Sequence, residues 1–196
     1  MKENKKERAF YKFFTTVTKF LLVVFEQPRI YGAENIPEEG RLIIASNHIC
    51  FVDPVLIIKG TKRQIHFLAK SDLFKGRFFG WVFTNMGLIP VHRERRDKDA
   101  MNSARDVLNN DGVIGIFPEG KTNKGDKKVV QPLKMGAVKM AYDTHSPIVV
   151  ATINGRYIPF VTKLSVTFQE PYYIESDDLE AEREKLYQKI SSNIKK

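Results

Sequence analysis

A histidine and an aspartate five residues apart, His48 and Asp53, are the side chains of this sequence best placed to do chemistry. Residues 42–45 before them form an uninterrupted apolar run, which predicts a buried strand. Asp53-Pro54 predicts a helix start, with the aspartate as N-cap and the proline at the first helical position. We expect His48 in a strand-to-helix turn, where the Asp53 carboxylate can accept its Nδ1–H and leave Nε2 as a base.

The same segment also allows a purely structural interpretation. An aspartate at a helix N-cap needs no catalytic explanation. Cys50 is a candidate thiol nucleophile, but a single free cysteine among apolar neighbours is usually a small buried hydrophobe. Because no serine or cysteine nucleophile stands obviously beside the pair, a catalytic His-Asp dyad would have to activate a hydroxyl of the substrate.

A second apolar segment, residues 87–91, opens onto a basic run at residues 92–96. Within that run Arg93 carries a planar, permanently charged guanidinium that offers paired donors to a phosphate. The alternative is a solvated basic turn, which such charge runs usually form. Arg93 is therefore a candidate phosphate ligand, but its charge alone does not distinguish this role from that of a solvated surface residue.

A third apolar segment, residues 113–117, predicts another buried strand and is interrupted by Pro118-Glu119-Gly120. Polar groups at the carboxyl end of a strand lie where α/β sheets bind ligands. Glu119 is expected either to bond a substrate hydroxyl or to hold the loop through backbone N–H groups. The sequence leaves both roles open.

Taken in order, these segments match a set of motifs. Asn47, His48 and Asp53 form an Asn-His-x4-Asp block, residues 87–93 read Gly-x-Ile-x-Val-x-Arg, and residues 117–120 read Phe-Pro-Glu-Gly. Residues 147–151 approximate a fourth, apolar Pro-Ile-Val-Pro-Val strand. The set resembles the glycerolipid acyltransferases, and the lysophosphatidic acid acyltransferases in particular.

Two departures from the family pattern bear on the site. After Glu-Gly the family usually has Thr and then Arg, whereas this chain has Lys121 and then Thr122. The basic group therefore comes one position early, which changes its aim at a phosphate. In the fourth motif Val150 replaces the second proline, which is expected to alter a strand end more than the chemistry.

The resemblance implies transfer of a fatty acyl group from a thioester, of acyl carrier protein or coenzyme A, to 1-acylglycerol-3-phosphate, giving phosphatidic acid. His48 would take the proton of the acceptor hydroxyl while Asp53 orients the ring and stabilises the imidazolium. The alkoxide would attack the thioester carbonyl, and the carrier thiol would leave. This mechanism requires no acyl-enzyme, metal or bound cofactor.

Outside the dyad, the residues expected to bind substrate are Asn47, Lys70, Arg93, Glu119, Gly120 and Lys121. Two other functions stay open at this point. The motifs are shared by acyltransferases for other acceptors, such as glycerol-3-phosphate, another lysophospholipid or an amino-lipid. A non-catalytic lipid-binding protein is the more distant alternative, for which His48 and Asp53 would be dispensable.

Composition limits the partners. The chain has 196 residues, enough for one domain with a substantial core. A net charge of +9 favours anionic partners such as an anionic membrane surface, lipid phosphate or an acidic carrier protein, whereas nucleic acid is not expected because no binding motif accompanies the charge. A single cysteine excludes an intrachain disulfide, and no Cys/His spacing suggests a metal site.

The first 28 residues predict a basic amphipathic helix. Its apolar positions recur every three or four residues, at Phe10, Phe13, Phe14, Val17, Leu21 and Val24. Residues 10–25 are too short and too polar to span a bilayer, which needs about 20 apolar residues. We expect this helix to lie in the interface of the cytoplasmic face of a membrane, making the protein peripheral. A helix packed on the domain core is the alternative.

The remaining residues, 29–196, predict a single α/β domain with a mixed sheet flanked by helices. Strands are expected near residues 29–31, 41–46, 64–69, 113–117, 147–153 and 163–169, and helices at 53–60, 72–85, 97–109, 132–143 and 177–194. The aromatic helix at 72–85 is expected either to pack in the core or to line an acyl-chain channel. The polar segment 120–128 is expected to form a mobile flap over the site.

Overall fold

The computed structural model describes residues 9–17, 28–92, 97–157 and 164–195, which form one sheet with helices on both faces. The strands are β1 (Arg29–Tyr31), β2 (Leu42–Ser46), β3 (Ile65–Lys70), β4 (Ile89–Val91), β5 (Val113–Ile116), β6 (Ile148–Asn154) and β7 (Ser165–Phe168). The helices are α1 (residues 9–17), α2 (Asp53–Lys59), α3 (Arg77–Asn85), α4 (Lys98–Asn109), α5 (Gly136–Thr144) and α6 (Leu179–Ser192). Short 3₁₀ turns lie at Ala33–Asn35 and Ser71–Phe74.

The sheet order is β1-β7-β6-β2-β5-β3-β4. All neighbouring strands run parallel except β6 and β7, which are antiparallel. The expected mixed sheet is therefore confirmed. Because β2, β3, β4, β5 and β6 are parallel, their carboxyl ends meet at one edge, where ligands bind in open α/β sheets.

Side chains alternate between two cores, one on each face of the sheet. In β2, for example, Leu42 and Ile44 pack with α2 and α3, whereas Ile43 and Ala45 pack with α4, α5 and α6. Both faces of β2 are fully buried, which explains why its sequence shows no polar alternation. The result is a three-layer architecture that fixes the sheet edge bearing the motifs.

One strand of the structure was not predicted, and two predicted helices begin later than expected. β4 was not expected, because a three-residue strand containing Pro90 shows no strand pattern of its own. The helix predicted at 72–85 begins only at Arg77, after a 3₁₀ turn and the extended Gly76. The helix predicted at 132–143 begins at Gly136, because the Lys134 N–H is bonded to the carbonyl of Pro118.

The described part of α1 is packed on the domain. The Tyr11 side chain is buried, and its hydroxyl accepts a hydrogen bond from the Ile65 N–H at 3.1 Å. Phe10 and Phe14 pack against the same core, whereas Phe13 remains 68% exposed. One side of the helix therefore faces the core, as the alternative of a core-packed helix predicts. Its opposite side is also apolar and faces outwards.

The aromatic residues of α3 divide in the same way. Val82 is buried, but Phe78, Phe79 and Trp81 are 68%, 60% and 55% exposed. Core packing, the simpler expectation for this helix, is therefore wrong for these three side chains. Within the described ranges, no helix combines the length and apolarity needed to cross a bilayer.

Candidate active site

His48 and Asp53 form a buried hydrogen-bonded dyad in the turn between β2 and α2. The imidazole Nδ1 lies 2.8 Å from Asp53 Oδ2, and the carboxylate is fully buried. Oδ2 also accepts the N–H groups of Ile49 and Cys50 at 2.7 and 2.8 Å. The Tyr157 hydroxyl donates to Oδ1 at 2.7 Å. Several converging donors stabilise the ionised carboxylate, which can then fix the imidazole orientation.

The start of α2 differs from the expectation by one residue. The helix begins at Asp53, with Val52 as N-cap and Pro54 in the first turn, so Asp53 is not the cap. Its carboxylate accepts from the preceding turn instead of from the helix. The residues between His48 and Asp53 thus form a turn that surrounds the Asp53 carboxylate.

The second ring nitrogen of His48 faces a hydroxyl group. Because an aspartate carboxylate only accepts, the ring must donate from Nδ1, which leaves Nε2 as an acceptor. Thr122 Oγ1 lies 3.0 Å from Nε2 and is therefore the donor. The position of the Thr122 oxygen shows where a hydroxyl bound to this base sits.

The plane of the His48 ring is covered by Phe117. The two rings stack with centroids 4.1 Å apart and an interplanar angle of 20°. Phe117 in turn packs on Phe67, with centroids 5.9 Å apart. These contacts restrict rotation of the imidazole and cover one of its faces, while 9% of His48 remains exposed.

Glu119 holds the backbone of the site. Its Oε1 accepts the His48 N–H at 2.7 Å, and its Oε2 accepts the Gln131 N–H at 2.8 Å. Burial raises the pKa of this carboxyl group, and the two backbone hydrogen bonds oppose that rise. These contacts support the second of the two roles expected for Glu119, that of holding the loop.

Asn47 holds the site to the sheet. Its side-chain amide donates to the carbonyl of Ile153 at 2.9 Å and accepts the Ile153 N–H at 2.8 Å. The Asn47 amide thus bonds to both backbone polar groups of one β6 residue and holds the turn against that strand. This is a positioning role, and direct contact of Asn47 with substrate stays a prediction.

The segment after Gly120, expected to be a mobile flap, is hydrogen-bonded to the turn that carries His48. The Asn123 N–H donates to the His48 carbonyl at 2.7 Å, and Lys127 Nζ donates to the Ile49 carbonyl at 2.9 Å. Asn123 is buried, and its side chain bonds to the backbone of residues 125, 126 and 129. In this structure the segment is therefore an ordered, hydrogen-bonded side of the site, not a free flap.

The remaining predicted binding residues have different surroundings. Lys70 forms an ion pair with Asp72, which also binds Lys75 at 2.6 Å. The hydrogen bonds from Lys70, which has the larger effect, and from Lys75 lower the pKa of the Asp72 carboxyl group to about 2. Lys121 is exposed on the loop surface. Arg93 lies outside the described residues, so its phosphate role stays a prediction.

A cavity of about 660 Å³ lies on the α4 and α5 side of the sheet, at the carboxyl end of β5, and is not lined by His48 or Asp53. Phe117, whose ring covers His48, also lines this cavity. Gly120 lines it as well and adopts a φ of 71°, a conformation that favours glycine over residues with a Cβ. The cavity therefore provides space for a ligand beside the loop that carries Glu119, whose carboxylate bonds to the His48 N–H.

Two groups of the site had no signal in the sequence. Tyr157 bonds to Asp53 across more than half of the chain, so no local spacing connects them. Thr122 stands beside a recognised motif, but only the fold of its loop brings its hydroxyl to His48. Across the described parts of the chain, no cluster of three or more His, Cys, Asp or Glu side chains is suited to a metal ion.

Similarity to known proteins follows the same region of the chain. A family model described as Acyltransferase matches residues 27–154, which include the dyad and Glu119. The 1-acyl-sn-glycerol-3-phosphate acyltransferase of Bacillus subtilis (strain 168) is 31% identical over 146 residues, covering 74% of this chain and 71% of that protein. The protein of the same description from Borreliella burgdorferi is 36% identical over 126 residues, covering 63% of this chain and 50% of the Borreliella protein.

A solved structure shares the architecture. The crystal structure of the 1-acyl-sn-glycerophosphate (LPA) acyltransferase PlsC from Thermotoga maritima superposes with a TM-score of 0.77. The match covers 98% of this chain and 81% of the other, at 24% sequence identity. At 24% identity this similarity shows the fold alone, and the fold agrees with the predicted α/β class.

Proposed function

Because this chain belongs to the acyltransferase family, we propose that it transfers a fatty acyl group from a thioester to 1-acylglycerol-3-phosphate, forming phosphatidic acid. The observation that carries the proposal is the accepting Nε2 of His48, held by a buried aspartate and already bonded to a hydroxyl. The relatives named above supply the acceptor, since they are described as acting on 1-acyl-sn-glycerol-3-phosphate.

The proposed reaction begins when the acceptor hydroxyl replaces the Thr122 hydroxyl at Nε2 of His48. As its oxygen attacks the thioester carbonyl, the hydroxyl proton moves to Nε2, and Asp53 stabilises the imidazolium that forms. Collapse of the tetrahedral intermediate forms the ester and breaks the carbon–sulfur bond. The imidazolium then returns its proton to the departing thiolate, which restores the neutral base.

The donor is proposed to be an acyl thioester of acyl carrier protein or coenzyme A. Both donors present the same carbonyl to the site, and both carry phosphate groups that suit a chain with a net charge of +9. The mechanism asks for no bound cofactor, because the thioester itself supplies the leaving group.

The test is a transfer assay with purified protein, both donors and a panel of lyso-acceptors, followed by substitution of the dyad. His48→Ala should abolish transfer without unfolding, because the acceptor hydroxyl then has no base. Asp53→Asn should lower the rate by ~10²–10⁴, as is typical when a positioned acid–base pair is disturbed. Cys50→Ala should stay active and serves as the matched control within the same turn.

Two outcomes would contradict the proposal. Normal turnover by His48→Ala would show that His48 is not the base. Transfer to another acceptor in preference to 1-acylglycerol-3-phosphate would keep the acyltransferase chemistry and replace the acceptor. Circular dichroism and melting temperature, measured on each variant, separate loss of chemistry from loss of fold.

We also propose that the protein binds the cytoplasmic face of a membrane through an aromatic surface formed by Phe13, Phe78, Phe79 and Trp81. These side chains are 55–68% exposed, and Phe10 links the two helices by contacting Trp81 with centroids 4.9 Å apart. Exposed aromatic residues on two adjoining helices are typical of a membrane or protein contact. The positive net charge favours anionic lipid, and the acceptor and product are themselves lipids.

A further inference from the structure

The cavity on the α4 and α5 side of the sheet has two chemically distinct parts. Its apolar part includes Leu68, Val91, Met101 and Ile116, which belong to the core under α4 and α5. Its polar part carries four cations, Lys98, Arg105, Lys134 and Lys139. Such a cavity suits a ligand with both a carbon skeleton and a negative charge.

The four cations differ in how far their charge is already neutralised. Arg105 and Lys139 share one carboxylate, Asp143, at 2.5 and 2.6 Å. Asp97, which also lines the cavity, bonds to the N–H groups of His92 and Ala100. Of the carboxylates that the structure describes, none forms an ion pair with Lys98 or Lys134.

Lys134 is the unpaired cation tied to the catalytic loop. Its N–H donates to the carbonyl of Pro118 at 2.8 Å, next to Glu119. Its side chain crosses Gly120 so closely that a Cβ there would lie 2.7 Å from Cε and 3.0 Å from Nζ. The absence of a side chain at Gly120 therefore creates the path along which the Lys134 ammonium reaches the cavity.

The surroundings of the ammonium favour an anion. α5 begins at Gly136, which also lines the cavity, so the electropositive end of this helix borders the same space. A lysine ammonium binds phosphate as a compact point charge, which needs no planar geometry. Lys121, the basic residue of the motif, does not line this cavity.

We propose that Lys134 binds a phosphate monoester in this cavity and so sets the affinity of the site for a phosphorylated substrate. The inference rests on the proposed transfer reaction. The phosphate can belong to the acceptor, 1-acylglycerol-3-phosphate, or to the donor coenzyme A, whose ribose 3′-phosphate is also a monoester. The chemistry of recognition is the same for both sources.

The test compares Lys134→Met, which keeps an unbranched side chain over Gly120 and removes the charge, with Lys134→Arg, which retains it. Lys124→Met is the matched control, because Lys124 is exposed on the same loop and does not line the cavity. KM is measured separately for each donor, for 1-acylglycerol-3-phosphate and for uncharged 1-monoacylglycerol.

Lys134→Met should raise one KM about ten-fold or more, the effect expected when a charge-assisted hydrogen bond is lost. A rise confined to 1-acylglycerol-3-phosphate assigns the phosphate to the acceptor, and a rise confined to the donor assigns it there. Lys134→Arg and Lys124→Met should both stay close to the unmodified protein. An equal rise in the KM of the charged and the uncharged acceptor, or no change in any KM, would overturn the inference.

A binding measurement separates this inference from the proposed reaction. Calorimetric titration with glycerol 3-phosphate and with glycerol, using the His48→Ala protein, reports on the phosphate site without turnover. Binding of glycerol 3-phosphate that Lys134→Met abolishes would support the site even if no acyl transfer is found. Active transfer with unchanged glycerol 3-phosphate binding and unchanged KM values in Lys134→Met would overturn the site alone.

Discussion

At the scale of single residues, the hydroxyl of Thr122 completes a hydroxyl–imidazole–carboxylate row with His48 and Asp53. This row has the geometry of a nucleophile triad, in which the hydroxyl itself would accept the acyl group. The same geometry also arises if Thr122 merely fills the acceptor position in the free protein. The two interpretations make opposite statements about the effect of removing the hydroxyl.

We expect Thr122→Val, which keeps the shape and removes the hydroxyl, to retain acyl transfer. The reason is that direct transfer uses the substrate hydroxyl, and a methyl group leaves Nε2 free to receive it. Incubation with donor alone, followed by mass spectrometry of the intact protein, should show no acyl adduct. Thr122→Ser is the control that keeps the hydroxyl.

An acyl-threonine mechanism would give the reverse pattern. Thr122→Val would then be inactive, Thr122→Ser would stay active, and the unmodified protein would gain the mass of one acyl chain in the absence of acceptor. Direct transfer would also be contradicted by a burst of thiol release without acceptor.

The contacts within the site were predictable only where the sequence brings the residues close together. His48 and Asp53 lie in one turn, so their spacing and the flanking elements were enough to predict the dyad. Tyr157 reaches Asp53 from the end of β6, and such a long-range contact leaves no local pattern. Asn47 and Glu119 were recognised by motif, but the backbone groups that they bond depend on strand order.

At the scale of elements, strand prediction worked where both faces are buried. The apolar runs of β2, β5 and β6 are unambiguous because each is covered by helices on two sides. β4 has only three residues and its middle residue is proline, so it depends on β3 for its conformation. For α3, helical spacing alone cannot say which aromatic side chains face outwards.

The packing of α1 gives a prediction about alkaline stability. Burial raises the pKa of the Tyr11 hydroxyl to about 12, whereas an unfolded tyrosine titrates near 10. Between these values the unfolded state loses its proton while the folded state keeps it. The free energy of unfolding should therefore fall as the pH rises from about 10 to about 12, by up to ~2 kcal/mol from this residue.

Denaturant titrations of the unmodified protein and Tyr11→Phe, between pH 8 and 12, measure this contribution. The substitution removes the titrating group, so its stability should fall less steeply over the alkaline range. Tyr173→Phe is the control, because Tyr173 is exposed. Identical slopes for Tyr11→Phe and the unmodified protein would mean that α1 does not bury this hydroxyl in solution.

At the scale of the whole molecule, the aromatic surface and the dyad belong to the same domain. Replacing both Phe78 and Phe79 with Ser should weaken binding to anionic vesicles at low and at high salt. Each phenylalanine buried in lipid contributes roughly 1.5–3 kcal/mol of apolar transfer energy, which salt does not screen. Vesicle sedimentation measures the loss, and Tyr173→Ser is a control on an exposed aromatic residue elsewhere.

The fold should survive these substitutions because both rings are largely exposed. A large fall in melting temperature would show that the rings stabilise the domain. Unchanged vesicle binding with an intact fold would mean that the aromatic surface does not contact lipid. Binding that disappears at high salt in the unmodified protein would leave charge as the dominant attraction.

The pairing of β1 with β7 has a consequence for how the chain is made. Among the strands that the structure describes, β1 is synthesised before all others, whereas its hydrogen-bonding partners, residues 165–167, belong to the one synthesised last. Until then β1 has no neighbour, and β6 presents an open edge on the side that β7 will cover. The growing chain therefore passes through a long interval in which two strand edges are exposed, and its yield should depend on chaperones that shield them during translation.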